Sequence, residues 1–108
     1  ITNHSWFTAE SHVCYLSEVF AGTEVYCTTQ LIGFDRKRMH YFHRMYRLKG
    51  RILVATNELL ALHVDLKERR VVEAATAALD PLQRKLISHQ ALPRPKQLGS
   101  KISIPSKI

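Results

Sequence analysis

The sequence predicts an α+β fold, an antiparallel sheet of four or five strands followed by one C-terminal helix. Strand-like segments separated only by short turns fill residues 5–16, 23–34, 39–48 and 52–65. Such turns are too short for crossover helices, so consecutive strands are expected to pair as an antiparallel meander. The one clear helix start comes later, near Asp80. A single modest helix leaves one sheet face uncovered, which predicts that another segment or a partner completes the fold.

The first two strands are predicted from alternation and from β-branched residues. Alternation along residues 5–16 gives one face the side chains of Trp6, Thr8, Glu10, His12 and Cys14. Residues 23–34 are rich in β-branched and aromatic side chains, as strands commonly are. Gly33 near the end of this second segment predicts a β-bulge.

The third and fourth strands are predicted on either side of the Lys49-Gly50 turn. His40 and His43 lie three residues apart in the third strand and therefore point to opposite faces. The two imidazoles cannot chelate one metal ion, and no metal site is predicted. The fourth strand is apolar on both faces towards its end, a pattern typical of a central strand.

The C-terminal helix is expected to begin at Asp80 as its N-cap. Pro81 suits the first helical position, and Gln83 is placed three residues after the cap. Prolines at 93 and 95 must end the helix. The predicted organisation is therefore a domain over residues 1–92 and a Pro- and Lys-rich tail over residues 93–108.

Positive charge is distributed unevenly along the chain, which has a net charge of +7. No Lys or Arg precedes Arg36, whereas seven basic residues fall between Arg36 and Arg51. A basic cluster at a strand turn favours a phosphate-bearing partner, either a nucleotide cofactor or a nucleic acid. The alternative is a solvated surface without a ligand.

Composition argues against several classes of protein. No apolar run approaches the roughly 18 residues that a membrane helix needs, and the first residues carry no signal pattern. Cys14 and Cys27 are too few for a disulfide scaffold and are predicted to be reduced thiols. A cytoplasmic protein that does not associate with membranes is the resulting expectation.

Several segments resemble the latter part of the hotdog-fold acyl-CoA thioesterases of the 4-hydroxybenzoyl-CoA thioesterase-like superfamily. The matching segments are Val13-Cys-Tyr-Leu16, Ala21-Gly22, Asp35-Arg-Lys-Arg-Met-His40, Phe42-His-Arg-Met-Tyr46, Ala55-Thr-Asn-Glu58, Leu60-Ala-Leu-His-Val-Asp65 and Ala91-Leu-Pro-Arg-Pro95. Within the superfamily, the third strand and the tail are most similar to the thioesterase domain of carnitine breakdown, often fused to a carnitine dehydrogenase. The resemblance implies a hotdog-like sheet, hydrolysis of an acyl-CoA such as betainyl-CoA, and a homodimer or higher homo-oligomer. It implies no separate cofactor, because CoA is part of the substrate.

The sequence departs from the family pattern before Trp6. The family begins with a strand, a loop that carries a catalytic Asp, and a long central helix, whereas the first Asp here is Asp35. We therefore expect the N-terminal strand, the central helix and the catalytic carboxylate to lie outside this chain.

Two groups of residues are candidates for the site. The resemblance assigns Arg36, Lys37 and Arg38 to the CoA phosphates, with an unliganded turn as the alternative. Glu10 and His12 are candidate catalytic residues, because a carboxylate beside an imidazole can activate water; a pair satisfied within the sheet is the alternative. Glu58, the third catalytic candidate, lies in an apolar strand and needs a partner such as Arg44, His40 or His12.

Two other functions remain open from the sequence. One is a non-catalytic module that binds an acyl-CoA or a protein. The other is nucleic-acid binding through the basic cluster, although the sequence has no recognition-helix motif. Five aromatic residues have two interpretations, either a cage that binds a quaternary ammonium group or ordinary core packing. They are Trp6, Phe7, Tyr15, Tyr41 and Tyr46.

Overall fold

A computed structural model describes residues 3–104 of the chain. Its elements are β1 (His4–Tyr15), β2 (Val25–Phe34), β3 (Arg38–Arg47), β4 (Ile52–Asp65), β5 (Arg70–Val71) and α1 (Thr76–His89). The predicted α+β class, a five-stranded antiparallel sheet with one C-terminal helix, is confirmed. No helix in the described part of the chain is long and apolar enough to cross a membrane.

The strand order is β1-β4-β3-β2, with the short β5 added to β4. The predicted meander is therefore wrong for its first connection, because β1 pairs with β4 and not with β2. Residues 16–24 can span up to about 30 Å, and β1 and β2 lie about 14 Å apart across the sheet. This connection is long enough to cross the sheet end, and β4 takes the central position that its apolar faces predict.

Register shifts occur at three places in the sheet: between Thr8 and Glu10, between Leu31 and Gly33, and between Met45 and Tyr46. Between Thr8 and Glu10 the register shifts, so that Thr8 opposes Ala61 while Glu10 opposes Leu60. Because Ala61 and Leu60 are adjacent in β4, Thr8 and Glu10 point to opposite faces. The predicted shared face of Thr8 and Glu10 is wrong for this reason. The bulge predicted at Gly33 is confirmed.

The register defines two faces of the sheet. The Glu58 face carries Glu10, His12, Gln30, His40, Phe42 and Glu58, and the His43 face carries Val13, Thr29, His43, Met45 and Asn57. Phe42, only 1% exposed, is the largest fully buried side chain of the described residues. Tyr15 and Phe20, in contrast, are 85% and 78% exposed. Large apolar side chains therefore remain uncovered on this molecule.

Helix α1 begins at Thr76, four residues before the predicted cap. Its N-cap is Ala75 without a side-chain hydrogen bond, and Pro81 lies inside the helix. The entry to the helix is fixed by tertiary contacts, since Ala74 is buried and its N–H donates to the Arg36 carbonyl at 2.6 Å. Packing at this point therefore overrides the local capping signal at Asp80.

The helix protects the edge of the sheet at β2. Its last residue, His89, accepts a hydrogen bond through Nδ1 from the Leu31 N–H at 2.8 Å. An edge-strand donor that would otherwise face solvent is thereby satisfied. Cys14 and Cys27 are both free and lie in β1 and β2, which are not neighbours.

Candidate active site

Glu58 occupies the middle of the central strand β4. Across the sheet it pairs with His12 of β1 on one side and with Phe42 of β3 on the other. Its Oε2 lies 2.7 Å from Nε2 of His40, two residues before Phe42 in β3. Of the partners predicted for Glu58, the structure thus places His40 in direct contact.

The C-terminal segment supplies the second partner of Glu58. The Gly99 N–H donates to Glu58 Oε1 at 2.7 Å. Gly99 adopts a φ of +74°, in the left-handed region that favours glycine. The segment is fixed further by Pro95, which is buried. Both carboxylate oxygens of Glu58 are therefore hydrogen-bonded, and part of the tail packs against the sheet.

These contacts determine the ionisation of Glu58. Partial burial raises the pKa of Glu58, but hydrogen bonds from the Gly99 N–H and from His40 lower it by more. The nearby imidazoles of His40 and His12 lower it further. The net result is a pKa below the ordinary value, so Glu58 is a carboxylate at neutral pH.

A polar cavity of about 370 Å³ opens beside Glu58 on this face. Its lining includes Glu10, His12, His40, Glu58, Gly99 and Ser100. The structure thus brings together all three catalytic candidates from the sequence. It adds His40, which the sequence suggested only as a partner of Glu58, and the tail residues, which no local signal marked. We call this cavity the polar pocket.

The basic turn lies between β2 and β3 and is stabilised by Asp35. The Asp35 carboxylate accepts the backbone N–H groups of Lys37 and Arg38 and the Arg38 Nε–H. The hydrogen bond from the Arg38 side chain is the main reason why the pKa of Asp35 falls to about 2. Nε of Arg36 lies 3.5 Å from Oε1 of Glu73. Two of the three predicted phosphate ligands are therefore already paired with carboxylates.

Arg38 and His40 lie two residues apart in β3 and point to the same face. The basic turn and the polar pocket are consequently on the same side of the sheet. Lys37 makes no ion pair among residues 3–104. Of the three candidates, it has the charge most available to a phosphate.

The opposite face carries an apolar groove of about 510 Å³ lined by Val13, Tyr15, Cys27, His43, Met45 and Asn57. Nδ1 of His43 and the Thr29 hydroxyl are hydrogen-bonded at 2.8 Å. His43 points to the face of the sheet opposite to that of His40. In the range 3–104 no three His, Cys, Asp or Glu residues are arranged to hold a metal ion.

The aromatic residues weighed as a cage do not converge on one point. Trp6 contacts His63, and Tyr46 stacks on Tyr26 at 5.0 Å. Tyr41 packs edge-on against His43. The first two contacts join cross-strand neighbours, and the third joins two residues of the same strand on one face of the sheet.

Comparison with known proteins gives consistent matches along most of the chain. Residues 2–89 match the profile of the thioesterase-like superfamily. The chain is 36% identical over 104 residues to a betainyl-CoA thioesterase of Pseudomonas aeruginosa, covering 96% of this chain and 65% of that protein. It is 35% identical over 96 residues to an L-carnitine dehydrogenase/betainyl-CoA thioesterase of a Rhizobium species, covering 89% of this chain and 19% of that protein.

Several solved structures share the fold. A Staphylococcus aureus protein in complex with CoA superimposes with a TM-score of 0.86 at 28% identity. A Pseudomonas putida KT2440 protein proposed to be a thioesterase superimposes with a TM-score of 0.83 at 35% identity. In both comparisons the match covers 94% of this chain and 64% of the other. The chain thus spans less than two thirds of the length of these relatives.

Proposed function

Because this chain belongs to the thioesterase-like superfamily, we propose that the protein containing it hydrolyses an acyl-CoA thioester. The observation that carries the proposal is the sequence identity to a betainyl-CoA thioesterase along nearly the whole chain. Betainyl-CoA, as an intermediate of carnitine breakdown, is the substrate that this similarity favours.

The reaction requires water, a base and a site for negative charge. Water attacks the thioester carbonyl, the C–S bond breaks, and the products are a carboxylic acid and the CoA thiol. Backbone N–H groups stabilise the oxyanion that develops on the carbonyl oxygen. No further cofactor takes part in the proposed reaction, since CoA enters as part of the substrate.

The basic turn is proposed to bind the CoA phosphates through Arg36, Lys37 and Arg38. Its support is the charge of the turn, its exposure and its position on the same face as the polar pocket. Lys37 contributes most, because Arg36 and Arg38 already contact Glu73 and Asp35. The nucleic-acid alternative lacks a recognition-helix motif in the sequence.

The protein is further proposed to be a cytoplasmic homo-oligomer. Free thiols at Cys14 and Cys27 fit a reducing compartment. Exposed large apolar side chains such as Tyr15 and Phe20 favour association with another copy.

Thiol release from a panel of CoA thioesters, including betainyl-CoA, tests this function in the natural protein that contains the chain. We expect turnover, and we expect Lys37→Ala to raise KM several-fold while Lys67→Ala, a matched exposed lysine, leaves it unchanged. Tight CoA binding without turnover of any thioester would instead establish a non-catalytic binding module. Steep salt-dependent binding to duplex nucleic acid would support the other alternative.

A further inference from the structure

Glu58 and His40 form a hydrogen-bonded carboxylate–imidazole pair that faces the polar pocket. We propose that His40 is the general base that activates water in this pocket, with Glu58 as the residue that positions its ring. This inference rests on the thioesterase function proposed above and deepens it. It assigns the proton transfer to His40 of this chain, in place of the catalytic carboxylate that the family resemblance leads us to expect outside it.

The geometry around Glu58 supports a positioning role and argues against Glu58 as the base. One of its oxygens accepts the Gly99 N–H and the other is bonded to His40. A carboxylate held by two partners is fixed in place, and its net lowered pKa makes it a weak proton acceptor. Its remaining contribution is to orient the imidazole.

The orientation leaves the other nitrogen of His40 available. When Nε2–H donates to Glu58, a neutral imidazole carries its lone pair on Nδ1. Within residues 3–104, Nδ1 of His40 has no hydrogen-bond partner. The side chain of His40 is 33% exposed, compared with 19% for Glu58, so the base is the more accessible member of the pair.

Glu10 and His12, the pair suggested by the sequence, are arranged differently. They line the same pocket but make no hydrogen bond to each other in the described part of the chain. The nearest polar contact of His12 Nδ1 is the Cys14 sulfur at 4.0 Å. Among residues 3–104, no carboxylate is hydrogen-bonded to the ring of His12, whereas Glu58 is hydrogen-bonded to that of His40.

The proton transfer is balanced without any further reactant. His40 Nδ1 takes a proton from water as the water oxygen bonds to the thioester carbonyl carbon. The C–S bond then breaks, and the leaving thiolate receives the proton from the imidazolium. The imidazole is returned to its starting state, with one carboxylic acid and one CoA thiol formed.

Steady-state kinetics of three variants of the natural protein test the assignment. General-base catalysis contributes about 10²–10⁴-fold, so His40→Asn is expected to lower kcat by about 100-fold or more with little change in KM. Glu58→Gln is expected to lower kcat by about tenfold or more, because the amide no longer fixes the ring as the carboxylate does. His43→Asn is the matched control, a histidine of the same strand on the opposite face.

Chemical rescue separates catalysis from a structural role. Added imidazole is expected to restore part of the kcat of His40→Ala and to leave His43→Ala unchanged, with circular dichroism confirming that both variants fold. An active wild type whose His40→Asn variant keeps kcat within about threefold would overturn the inference and leave the thioesterase function intact. Equal losses in the His40 and His43 variants without rescue would also overturn it. A wild type inactive on every thioester would refute the proposed function itself.

Discussion

At the scale of single residues, Glu58 shows how a central strand accommodates a carboxylate. An unpaired carboxylate inside a sheet is costly, and only partners on other elements can offset the cost. Here one partner comes from the neighbouring strand and one from the tail, at 2.7 Å each. The need for a partner can be predicted from the sequence, and His40 is among the three residues that it offers. The Gly99 N–H cannot be predicted, because a backbone donor from a distant segment leaves no compositional signal.

The ionisation of Glu58 makes the stability of the protein depend on pH. Since its pKa is lower in the folded state than the ordinary value, Glu58 stabilises the fold above that ordinary value. The stabilisation is lost as the pH falls through the lower, folded pKa. We therefore expect the urea midpoint of the wild type to decrease between about pH 5 and pH 3 by more than that of Glu58→Gln.

Asp35 and Asp65 also have lowered pKa values and contribute to the same acid loss in both proteins. The difference between wild type and Glu58→Gln isolates the contribution of Glu58. Parallel urea midpoints across the whole pH range would show that the ionisation of Glu58 does not contribute to the stability of the fold. Asp35→Asn is a second reference variant for the urea midpoints. It removes a carboxylate whose pKa is also lowered, but from the exposed basic turn and not from the contacts of Glu58.

At the scale of elements, the strands were easier to predict than their pairing. All four long strands begin and end within two residues of the predicted positions, because alternation and turn residues are local signals. The pairing of β1 with β4 is not local. Residues 16–24 are long enough to serve either a neighbouring or a distant strand, so the sequence does not decide between them. The bulge at Thr8 and Glu10 was missed as well, because no glycine marks it.

Helix α1 offers a direct test of a misleading capping signal. If the helix begins at Thr76, Pro81 lies inside it and removes a hydrogen bond to an upstream carbonyl. Pro81→Ala should then stabilise the protein by about 1–3 kcal/mol, reduced by the extra entropy of the unfolded chain. Thermal or urea unfolding measures the change.

The matched variant is Asp80→Ala, one residue earlier. Because Asp80 is not the N-cap in the structure, its replacement is expected to change the free energy of unfolding by less than about 0.5 kcal/mol. A helix that instead started at Asp80 would lose about 1 kcal/mol on this substitution, and Pro81→Ala would then be close to neutral. The two variants together therefore distinguish the two starting points.

At the scale of the whole molecule, the described residues form a sheet with more apolar surface than its one helix covers. The apolar groove on the His43 face and the exposed side chains of Tyr15 and Phe20 are the clearest examples. The sequence predicted this imbalance, because four long strands were followed by a single short helix. It could not predict which face the tail would cover, since the contact between Gly99 and Glu58 depends on the three-dimensional path of the chain.

Exposed apolar surface of this kind is covered either by another segment of the protein or by a second copy, and the proposed homo-oligomer corresponds to the second case. Sedimentation equilibrium over a range of concentrations is expected to give a mass that is a multiple of the protomer mass in the natural protein. Dissociation on dilution should be accompanied by a decrease in thermal stability, because burial of the apolar surface stabilises the folded protomer through mass action. A monomer that retains its full sheet signal in circular dichroism, with a melting temperature independent of concentration, would contradict the homo-oligomer and show that the protomer is stable without a second copy.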